Sequence, residues 1–248
     1  MRVLILGGTS EANLLAAAVA AAGLDAIYSY AGRTQVPVNQ PLPTRIGGFG
    51  GADGLADAIR QQGFTHVVDA THPFATEISR NAVAACATTA APLIALERKP
   101  WIKMPGDIWI EVQDVAAAVA ALPQARANVF LAIGRQHITP FATRPQHAYT
   151  LRFIDAAGGS LSLPDADLIV SRGPFTLAGE LDLMRSRRIE WIVARNSGGD
   201  GARAKIDAAR ELKLPVIMIE RPALPDRSRV ESVAEVMQWL GHRACLGA

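Results

Sequence analysis

Residues 2–12 read RVLILGGTSEA, a pattern that predicts a buried strand, a glycine turn and the beginning of a helix. The run Val3–Leu6 is apolar throughout, as is typical of a strand that a parallel sheet buries on both faces. The helix is predicted over 11–22 and ends at Gly23. A glycine turn leading into a helix N-terminus presents backbone N–H groups and a positive dipole end, which bind phosphate. The first half of the chain is therefore predicted to bind a nucleotide.

The glycine turn departs at one position from the dinucleotide fingerprint G-x-G-x-x-G/A. The three positions are occupied here by Gly7, Thr9 and Ala12, so the central glycine is missing. A side chain at that point keeps the backbone further from a pyrophosphate, but the hydroxyl groups of Thr9 and Ser10 are able to donate hydrogen bonds to phosphate oxygens instead. The alternative is a plain strand–turn–helix unit that binds no ligand.

The segment after the second predicted strand indicates which dinucleotide is bound. Asp25–Tyr30 form this strand, and Gly32 and Arg33 follow it closely. At this edge an acid binds the free 2′-hydroxyl group of the adenosine ribose, whereas an arginine favours a 2′-phosphate. Arg33 therefore indicates NADP rather than NAD; the alternative is a solvent-exposed loop arginine.

The composition favours a protein with a substantial core and excludes several classes of partner. Of 248 residues, 50% are hydrophobic and 19% are charged, which argues against disorder. No apolar run is long enough to cross a bilayer, no signal-peptide pattern is present, and the net charge of +2 is too small to indicate nucleic acid. The only cysteines, Cys86 and Cys245, match no metal-binding spacing. These features predict a cytoplasmic protein that binds no metal, nucleic acid or membrane.

Strand and helix patterns alternate along the chain, and this alternation predicts α/β domains with parallel sheets covered on both faces. Strands are predicted near 2–6, 26–30, 43–46, 66–70, 92–96, 108–112, 128–133, 148–154, 167–171, 190–195 and 215–219. Helices are predicted near 11–22, 53–62, 75–88, 114–121, 176–187, 202–212 and 229–240. Because eleven strands are too many for one small open sheet, we predict two Rossmann-like doubly wound domains, 1–124 and 125–248, with a cleft between them.

Arginine recurs where the predicted strands end, and open parallel sheets bind ligands beyond those carboxyl ends. The arginines at these positions are Arg33, Arg98, Arg135, Arg172, Arg195 and Arg221. Arginine recognises carboxylate and phosphate groups in a bidentate manner, so the set indicates a ligand with several negative groups. We expect about half of them to pair with acids or helix ends instead.

Two turns in the second half have the composition of anion-binding nests. Asn196–Gly199 precede a helix that carries Lys205, and Ser171–Phe175 precede another helix. Phe175, beside glycine and arginine, is placed either to stack on a flat ring or to act as a hinge contact.

The segment Asp69–Ala75 follows a buried strand and leads into a helix, with Pro73 suited to the first turn. Asp69 and Thr71 are placed where a nicotinamide or its ribose lies in such a sheet. His72 is interpreted either as a proton donor or as a cap of the turn. The chain has no Walker motif, no Gly-x-Ser-x-Gly and no His-Glu-x-x-His motif.

Five segments together make the chain resemble the precorrin-6A reductase family of cobalamin (vitamin B12) biosynthesis. They are Ile5–Glu11, Asp69–Ala75, Ser171–Phe175, Asn196–Gly199 with Lys205, and Pro215–Pro222. The resemblance implies an NADPH-dependent oxidoreductase acting on a CH–CH group, which reduces one double bond of the precorrin-6A macrocycle to give a dihydro-precorrin, precorrin-6B. The substrate is a flat tetrapyrrole-type polycarboxylate, which an arginine-lined cleft suits. We expect a monomer or a small homo-oligomer.

The resemblance and the residue patterns together divide the candidate residues into two groups. The NADPH group is Gly7, Gly8, Thr9, Ser10, Glu11, Gly32, Arg33, Asp69, Ala70, Thr71, His72 and Pro73. The substrate group is Arg135, Arg172, Gly173, Phe175, Asn196, Ser197, Gly198, Gly199 and Lys205. Asp69 and His72 are candidates for a catalytic residue, but none is assigned, because water or the substrate's own acid groups are able to supply the proton. Two alternatives remain open: a sugar-nucleotide transferase or epimerase, and a non-enzymatic NADP-sensing regulator.

Overall fold

A computed structural model describes residues 1–32, 38–153, 163–171 and 173–245. Its strands are β1 (Arg2–Leu6), β2 (Asp25–Tyr30), β3 (Thr44–Ile46), β4 (His66–Asp69), β5 (Leu93–Leu96), β6 (Ile108–Val112), β7 (Asn128–Ala132), β8 (Ala148–Phe153), β9 (Ala166–Val170), β10 (Trp191–Arg195), β11 (Pro215–Ile219) and β12 (Arg229–Val230). Its helices are α1 (Ser10–Ala21), α2 (Gly51–Gln62), α3 (Thr76–Thr89), α4 (Val115–Ala120), α5 (Leu177–Ser186), α6 (Ala204–Glu211) and α7 (Val233–Cys245). Short 3₁₀ turns cover Arg135–His137 and Thr139–Thr143.

The first sheet is parallel and has the strand order β3-β2-β1-β4-β5-β12. Val3 and Ile5 of β1 pack with α1 and α7, whereas Leu4 and Leu6 pack with α2 and α3. All four side chains are at most 2% exposed, which explains why β1 is apolar at every position. β2, the next strand along the chain, pairs with one edge of β1, and β4 pairs with its other edge. The segments after β1 and β4 therefore diverge at the point where such sheets bind ligands.

The second sheet is also parallel, with the order β9-β8-β7-β10-β11-β6. Its core is formed by residues such as Phe130 of β7 and Ile192 of β10, which pack with α5, α6 and two buried tryptophans, Trp101 and Trp109. The strand order reverses between β7 and β10, so the segments after these two strands occupy the position equivalent to those after β1 and β4.

The chain divides into one unit of residues 1–99 and 223–248 and a second unit of residues 100–222. The predicted class, two doubly wound parallel-sheet domains, is confirmed, but the predicted boundaries of 1–124 and 125–248 are corrected. β6 follows the strands of the first unit yet pairs with β11, and β12 follows the strands of the second unit yet pairs with β5. The first sheet thus takes its sixth strand, β12, from beyond the segment that forms the second sheet, whereas the second sheet consists of six consecutive strands, β6–β11.

The predicted helix over 229–240 is also corrected, because this segment begins with β12 and the helix starts at Val233. Ser232 and Glu235 form the reciprocal contacts of a capping box. The Ser232 Oγ accepts from the backbone N–H of Glu235 at 3.3 Å, and the Glu235 Oε2 accepts from the backbone N–H of Ser232 at 2.9 Å. This cap sets the helix start and leaves Arg229 and Val230 outside the helix, where they pair with β5.

Within the described ranges, no helix is long and apolar enough to span a membrane. The same ranges contain no cluster of histidine, cysteine and acidic side chains arranged to hold a metal ion.

Candidate functional site

The glycine turn after β1 is shaped by Tyr28 of β2. A Cβ atom on Gly7 would lie 2.1 Å from Cζ of the Tyr28 ring, so only glycine fits there. Gly8 has a φ of +118°, and its N–H donates to the Tyr28 hydroxyl group at 2.8 Å. Burial raises the pKa of Tyr28, which stays protonated and donates in turn to Asn13 Oδ1 at 2.8 Å. The turn is thus held in shape by a side chain that the sequence patterns did not single out.

Thr9 caps α1 and also contacts the segment after β4. Its Oγ1 accepts from the N–H of Ala12 at 3.0 Å and donates to the carbonyl oxygen of Ala70 at 2.8 Å. A hydroxyl group has a single proton, so Thr9 does not make the expected donation to a phosphate oxygen in this arrangement. Thr9 instead ties together the two segments that diverge at the edge of the first sheet.

The N-terminus of α1 carries backbone N–H groups that have no acceptor in the described part of the chain. They belong to residues 9–11, since the N–H groups of Gly8 and Ala12 are bound by side-chain hydroxyl groups. Such groups in the first turn of a 12-residue helix, together with the helix dipole, form an anion site. The arrangement fits the diphosphate of a dinucleotide.

Glu11, in the first turn of α1, forms an ion pair with Arg98. The Arg98 Nη1 lies 2.9 Å from the Glu11 Oε2, and the Ser10 hydroxyl group lies 3.3 Å from the same oxygen. Arg98 follows β5 and Glu11 follows β1, with β4 between these strands. The ion pair therefore crosses the carboxyl end of β4, and Arg98 is one of the edge arginines that pairs with an acid.

Asp69, the last residue of β4, is 2% exposed, and its contacts are internal. Its Oδ1 accepts from the N–H and the hydroxyl group of Thr71 at 3.2 and 2.6 Å. Its Oδ2 lies 3.7 Å from the Nη2 of Arg227, which is also 3.2 Å from the Glu97 Oε2. These contacts show that Asp69 shapes the turn after β4, with its charge offset by a buried arginine that the sequence patterns missed.

His72 and Pro73 lie in a turn rather than in the first turn of α3. The carbonyl oxygen of His72 accepts from the N–H of Ala75 at 2.7 Å, and its Nδ1 accepts from the N–H of Phe74 at 3.2 Å. The helix begins only at Thr76. These contacts fit the turn-capping interpretation of His72, and a proton-donating role stays a prediction.

The carboxyl ends of β2 and β3 approach each other at two glycines. A Cβ atom on Gly32 would lie 3.6 Å from the Cα of Gly47, and both residues have positive φ. Arg33, the predicted ligand of a 2′-phosphate, lies outside the described residues. Arg45 of β3 brings another guanidinium group to this edge, with its Nη1 3.0 Å from the Ser29 hydroxyl oxygen. Sequence reasoning missed Arg45 because it lies inside a predicted strand.

In the second unit, the turn after β10 is held by Trp101. Asn196 is 3% exposed, and its side-chain amide pairs with the backbone of Trp101 at 2.8 and 3.1 Å. The indole N–H of Trp101 donates to the carbonyl oxygen of Gly199 at 2.8 Å. Gly198 and Gly199 both have positive φ, as two consecutive left-handed residues require. The Asn196 side chain thus binds within the fold, and so do the backbone N–H groups of Asn196 and Ser197, which donate to Ile219 and Arg195.

Two cations support this turn from within the unit. Arg221, which follows β11, donates to the carbonyl oxygens of residues 196–197 at 2.9 and 3.1 Å. Lys205 is 5% exposed, donates to the carbonyl oxygen of Ala202 at 2.6 Å and lies 4.9 Å from the Trp101 ring centroid. Both contacts are structural, and direct contact of Lys205 with a substrate stays a prediction.

Arg135 and Phe175 take part in cation–π contacts at the carboxyl edge of the second sheet. The Arg135 guanidinium carbon lies 4.4 Å from the Phe153 ring centroid. The Arg152 guanidinium carbon lies 3.8 Å from the Phe175 ring centroid, and Arg152 also pairs with the buried Glu180 at 2.7 Å. One face of Phe175 is therefore covered by Arg152, and an edge of the ring lies close to Gly173. Stacking of Phe175 on a flat ligand stays a prediction.

Three further expectations stay predictions. Arg172 lies outside the described residues, and Gly173 directly follows it, joined to Pro174 by a cis peptide bond. Their contact with a substrate, and the predicted cleft between the domains, remain to be tested.

Comparison with known proteins gives the family. The precorrin-6x reductase family (CbiJ/CobK) matches residues 2–241 of the chain. The chain belongs to the precorrin-6x reductase family. The resemblance recognised in the five sequence segments is therefore confirmed.

Members of the precorrin-6x reductase family align with the chain over nearly its whole length. A precorrin-6A reductase of Rhodobacter capsulatus is 57% identical over 239 residues, which is 96% of this chain and 95% of that protein. Another from Sinorhizobium is 49% identical over 242 residues, covering 97% of this chain and 93% of that protein. A solved structure described as CobK precorrin-6A reductase has a TM-score of 0.94 at 56% identity, covering 98% of this chain and 96% of that chain.

Proposed function

We propose that the chain is an NADPH-dependent precorrin-6A reductase, which reduces one carbon–carbon double bond of its substrate to give precorrin-6B. The observation that carries the proposal is the open N-terminus of α1 at the β1–β4 edge, in a chain whose full-length relatives are named precorrin-6A reductases. This edge offers an anion site where doubly wound sheets hold a dinucleotide.

The first unit supplies the proposed cofactor site. The N–H groups of residues 9–11 bind the diphosphate, and Gly32 and Arg33 face the ribose 2′-phosphate. The turn of residues 69–73, held in shape by the Thr9 contact to Ala70, lines the nicotinamide end. NADPH, when bound, supplies a hydride and is oxidised to NADP⁺.

The second unit supplies the proposed substrate contacts. The substrate is a flat polycarboxylate, and Arg135 and Arg172 offer guanidinium groups to its acid groups. Gly173, Gly198 and Gly199 contribute N–H donors, because the N–H groups of Asn196 and Ser197 already donate to carbonyl oxygens of the protein. Phe175 stacks on the macrocycle. These residues bind the macrocycle and hold it in one orientation.

The reduction also needs one proton, added to the carbon next to the one that receives the hydride. Asp69 is a poor source, because it is 2% exposed, its Oδ1 accepts two hydrogen bonds from Thr71, and its Oδ2 lies 3.7 Å from the Arg227 guanidinium group. We therefore assign the proton to water or to an acid group of the substrate.

The test is an assay of the purified chain with precorrin-6A and NADPH, followed by mass spectrometry of the macrocycle. We expect a gain of two hydrogens with matching loss of NADPH, and no product when the protein is left out. NADPH binding without turnover would favour the NADP-sensing regulator. Binding of a nucleotide sugar, with no NADPH binding, would favour the transferase or epimerase alternative.

A further inference from the structure

Arg45 lies where the edge of the first sheet meets the adenosine end of a dinucleotide. β3 pairs with β2 in a register that sets Arg45 opposite Ser29, one residue before β2 ends at Tyr30. In dinucleotide-binding sheets the group after the second strand contacts the ribose 2′ position. Arg45 therefore brings a guanidinium group beside that position from the neighbouring strand.

The guanidinium group of Arg45 is held in one orientation. Its Nη1 donates to the Ser29 hydroxyl oxygen at 3.0 Å and to the Gly47 carbonyl oxygen at 2.9 Å, and its Nη2 donates to the Gly48 carbonyl oxygen at 3.1 Å. Its central carbon lies 3.8 Å from the Phe49 ring centroid. A planar cation fixed by three acceptors and one ring loses little freedom when it binds an anion.

The positive charge of Arg45 is not neutralised by the groups that hold it. All three acceptors are uncharged, and no carboxylate of the described residues lies at ion-pair distance from it. Partial burial lowers the pKa of Arg45, which shows that the charge is placed at some cost in solvation. Arg98 and Arg152, by contrast, each pair with a glutamate. A fixed, partly desolvated cation of this kind is stabilised by an incoming anion.

The loop contacts place this cation close to Gly32, which lies just after β2. Gly32 approaches Gly47, whose carbonyl oxygen binds Arg45, and Arg33 directly follows Gly32 in the chain. We propose that Arg45 is a specificity-determining residue, which binds the 2′-phosphate of NADPH and discriminates against NADH. The proposal rests on the proposed function for the identity of the dinucleotide.

The test compares dissociation constants for NADPH and NADH in Arg45→Gln and Arg45→Lys variants. We expect Arg45→Gln to weaken NADPH about tenfold or more and NADH less than about twofold, since only NADPH loses a charge-assisted contact. Arg45→Lys, which retains the charge, should keep most of the preference for NADPH. Arg60→Gln is the matched control, because Arg60 is an exposed arginine of the same unit that pairs with Asp57 on α2.

The fragments 2′,5′-ADP and 5′-AMP separate a phosphate contact from a structural role. A loss of affinity for 2′,5′-ADP with an unchanged affinity for 5′-AMP supports the proposal. Equal losses for NADPH and NADH, or no change for either, would overturn it. If Arg45→Gln fails to fold, Arg45→Lys is measured in its place. A wild-type NADPH preference in Arg45→Lys supports the proposal, and equal losses of affinity for NADPH and NADH in that variant would overturn it.

Failure of this inference is distinct from failure of the proposed function. A wild-type chain that reduces precorrin-6A while Arg45→Gln keeps full discrimination overturns only the role of Arg45. A wild-type chain that binds NADPH through Arg45 without reducing precorrin-6A overturns only the reductase.

Discussion

The Arg98 Nη1 lies 2.9 Å from the Glu11 Oε2, and this ion pair joins the segments after β5 and β1 across the end of β4. The two side chains are 17% and 26% exposed, so their interaction is partly shielded from solvent. The pair places a carboxylate at the helix N-terminus that also offers N–H groups to an anion. Arg98 neutralises that carboxylate and so makes the site compatible with a diphosphate.

Replacing Arg98 by methionine should weaken NADPH and NADH alike, because both share the diphosphate. The unneutralised Glu11 carboxylate repels it, and we expect each dissociation constant to rise about three- to tenfold in fluorescence titrations. In the Arg98→Met/Glu11→Gln double variant the repulsion is absent, and affinity should return to within about twofold of wild type. A double variant as weak as the single variant would contradict this account.

Replacing Tyr28 by phenylalanine keeps the ring against Gly7 but removes the hydroxyl group that binds Gly8 and Asn13. We expect the free energy of unfolding in urea to fall by about 1–3 kcal/mol, because a partly buried N–H group loses its acceptor. Tyr30→Phe is the control, since its hydroxyl group donates to the Val38 carbonyl oxygen and accepts from Gln40 Nε2 at 2.6 Å, but binds neither Gly8 nor Asn13. Equal losses of unfolding free energy in Tyr28→Phe and Tyr30→Phe would contradict a stabilising role for the hydrogen bond to Gly8.

The alternation of strands and helices was sufficient to predict the fold class, but not the division of the chain into units. The predicted strand near 108–112 matches β6, yet nothing in its own residues shows that it pairs with β11 rather than with β5. Both sheets are parallel and buried, so either offers a similar environment to an apolar strand. The choice depends on tertiary packing, which local patterns do not record.

The turns that bear the candidate residues were predictable where they directly follow a strand, as at Gly7 after β1 and Asp69 at the end of β4, while ligand binding by these residues stays a prediction. Contacts between residues that are distant in sequence were not predictable. The Thr9 hydroxyl group donates to Ala70, 61 residues away, and Arg227 pairs with Glu97 at a separation of 130 residues. Such partners are set by the fold, and they decide which side chains remain available to a ligand.

Replacing Asp69 by asparagine separates a structural role from an acid–base role. Asp69 is 2% exposed and pairs with Arg227, so the change leaves that arginine less well compensated and should reduce the free energy of unfolding by about 2–4 kcal/mol. Turnover should remain measurable at saturating NADPH, and the pH profile of kcat should keep its shape. Complete loss of turnover in a folded variant would instead assign the proton transfer to Asp69.

Replacing Asn196 by alanine should destabilise the turn after β10. Its amide pairs with both backbone groups of Trp101, and these buried groups would lose their partners, at an expected cost of about 2–4 kcal/mol. Asn128→Ala is the matched control, because the Asn128 amide bonds the Arg188 carbonyl oxygen at an exposed position. Urea denaturation followed by tryptophan fluorescence measures both, and a similar small loss in the two variants would contradict the assigned role.

The thiol group of Cys86, on the buried face of α3, provides a pH-dependent test of how this helix packs. Burial, with a second contribution from the Asp69 carboxylate, raises the pKa of Cys86 to about 12. The folded state therefore holds the thiol proton at pH values where the unfolded chain releases it. This contribution to stability is complete below the unfolded pKa of about 8.5 and is lost progressively as the pH rises toward the folded value. We expect the free energy of unfolding of the wild type to fall relative to Cys86→Ala between about pH 8 and pH 10.

The same property makes Cys86 slow to react in the folded chain, since the thiolate is the nucleophile. Mass spectrometry of peptides after iodoacetamide treatment should show labelling of Cys86 in urea but not in buffer near pH 9. The Cys245 peptide is quantified separately, so that the two cysteines are not confused. Labelling of Cys86 in buffer as fast as in urea would mean that the thiol group is not buried as the structure places it.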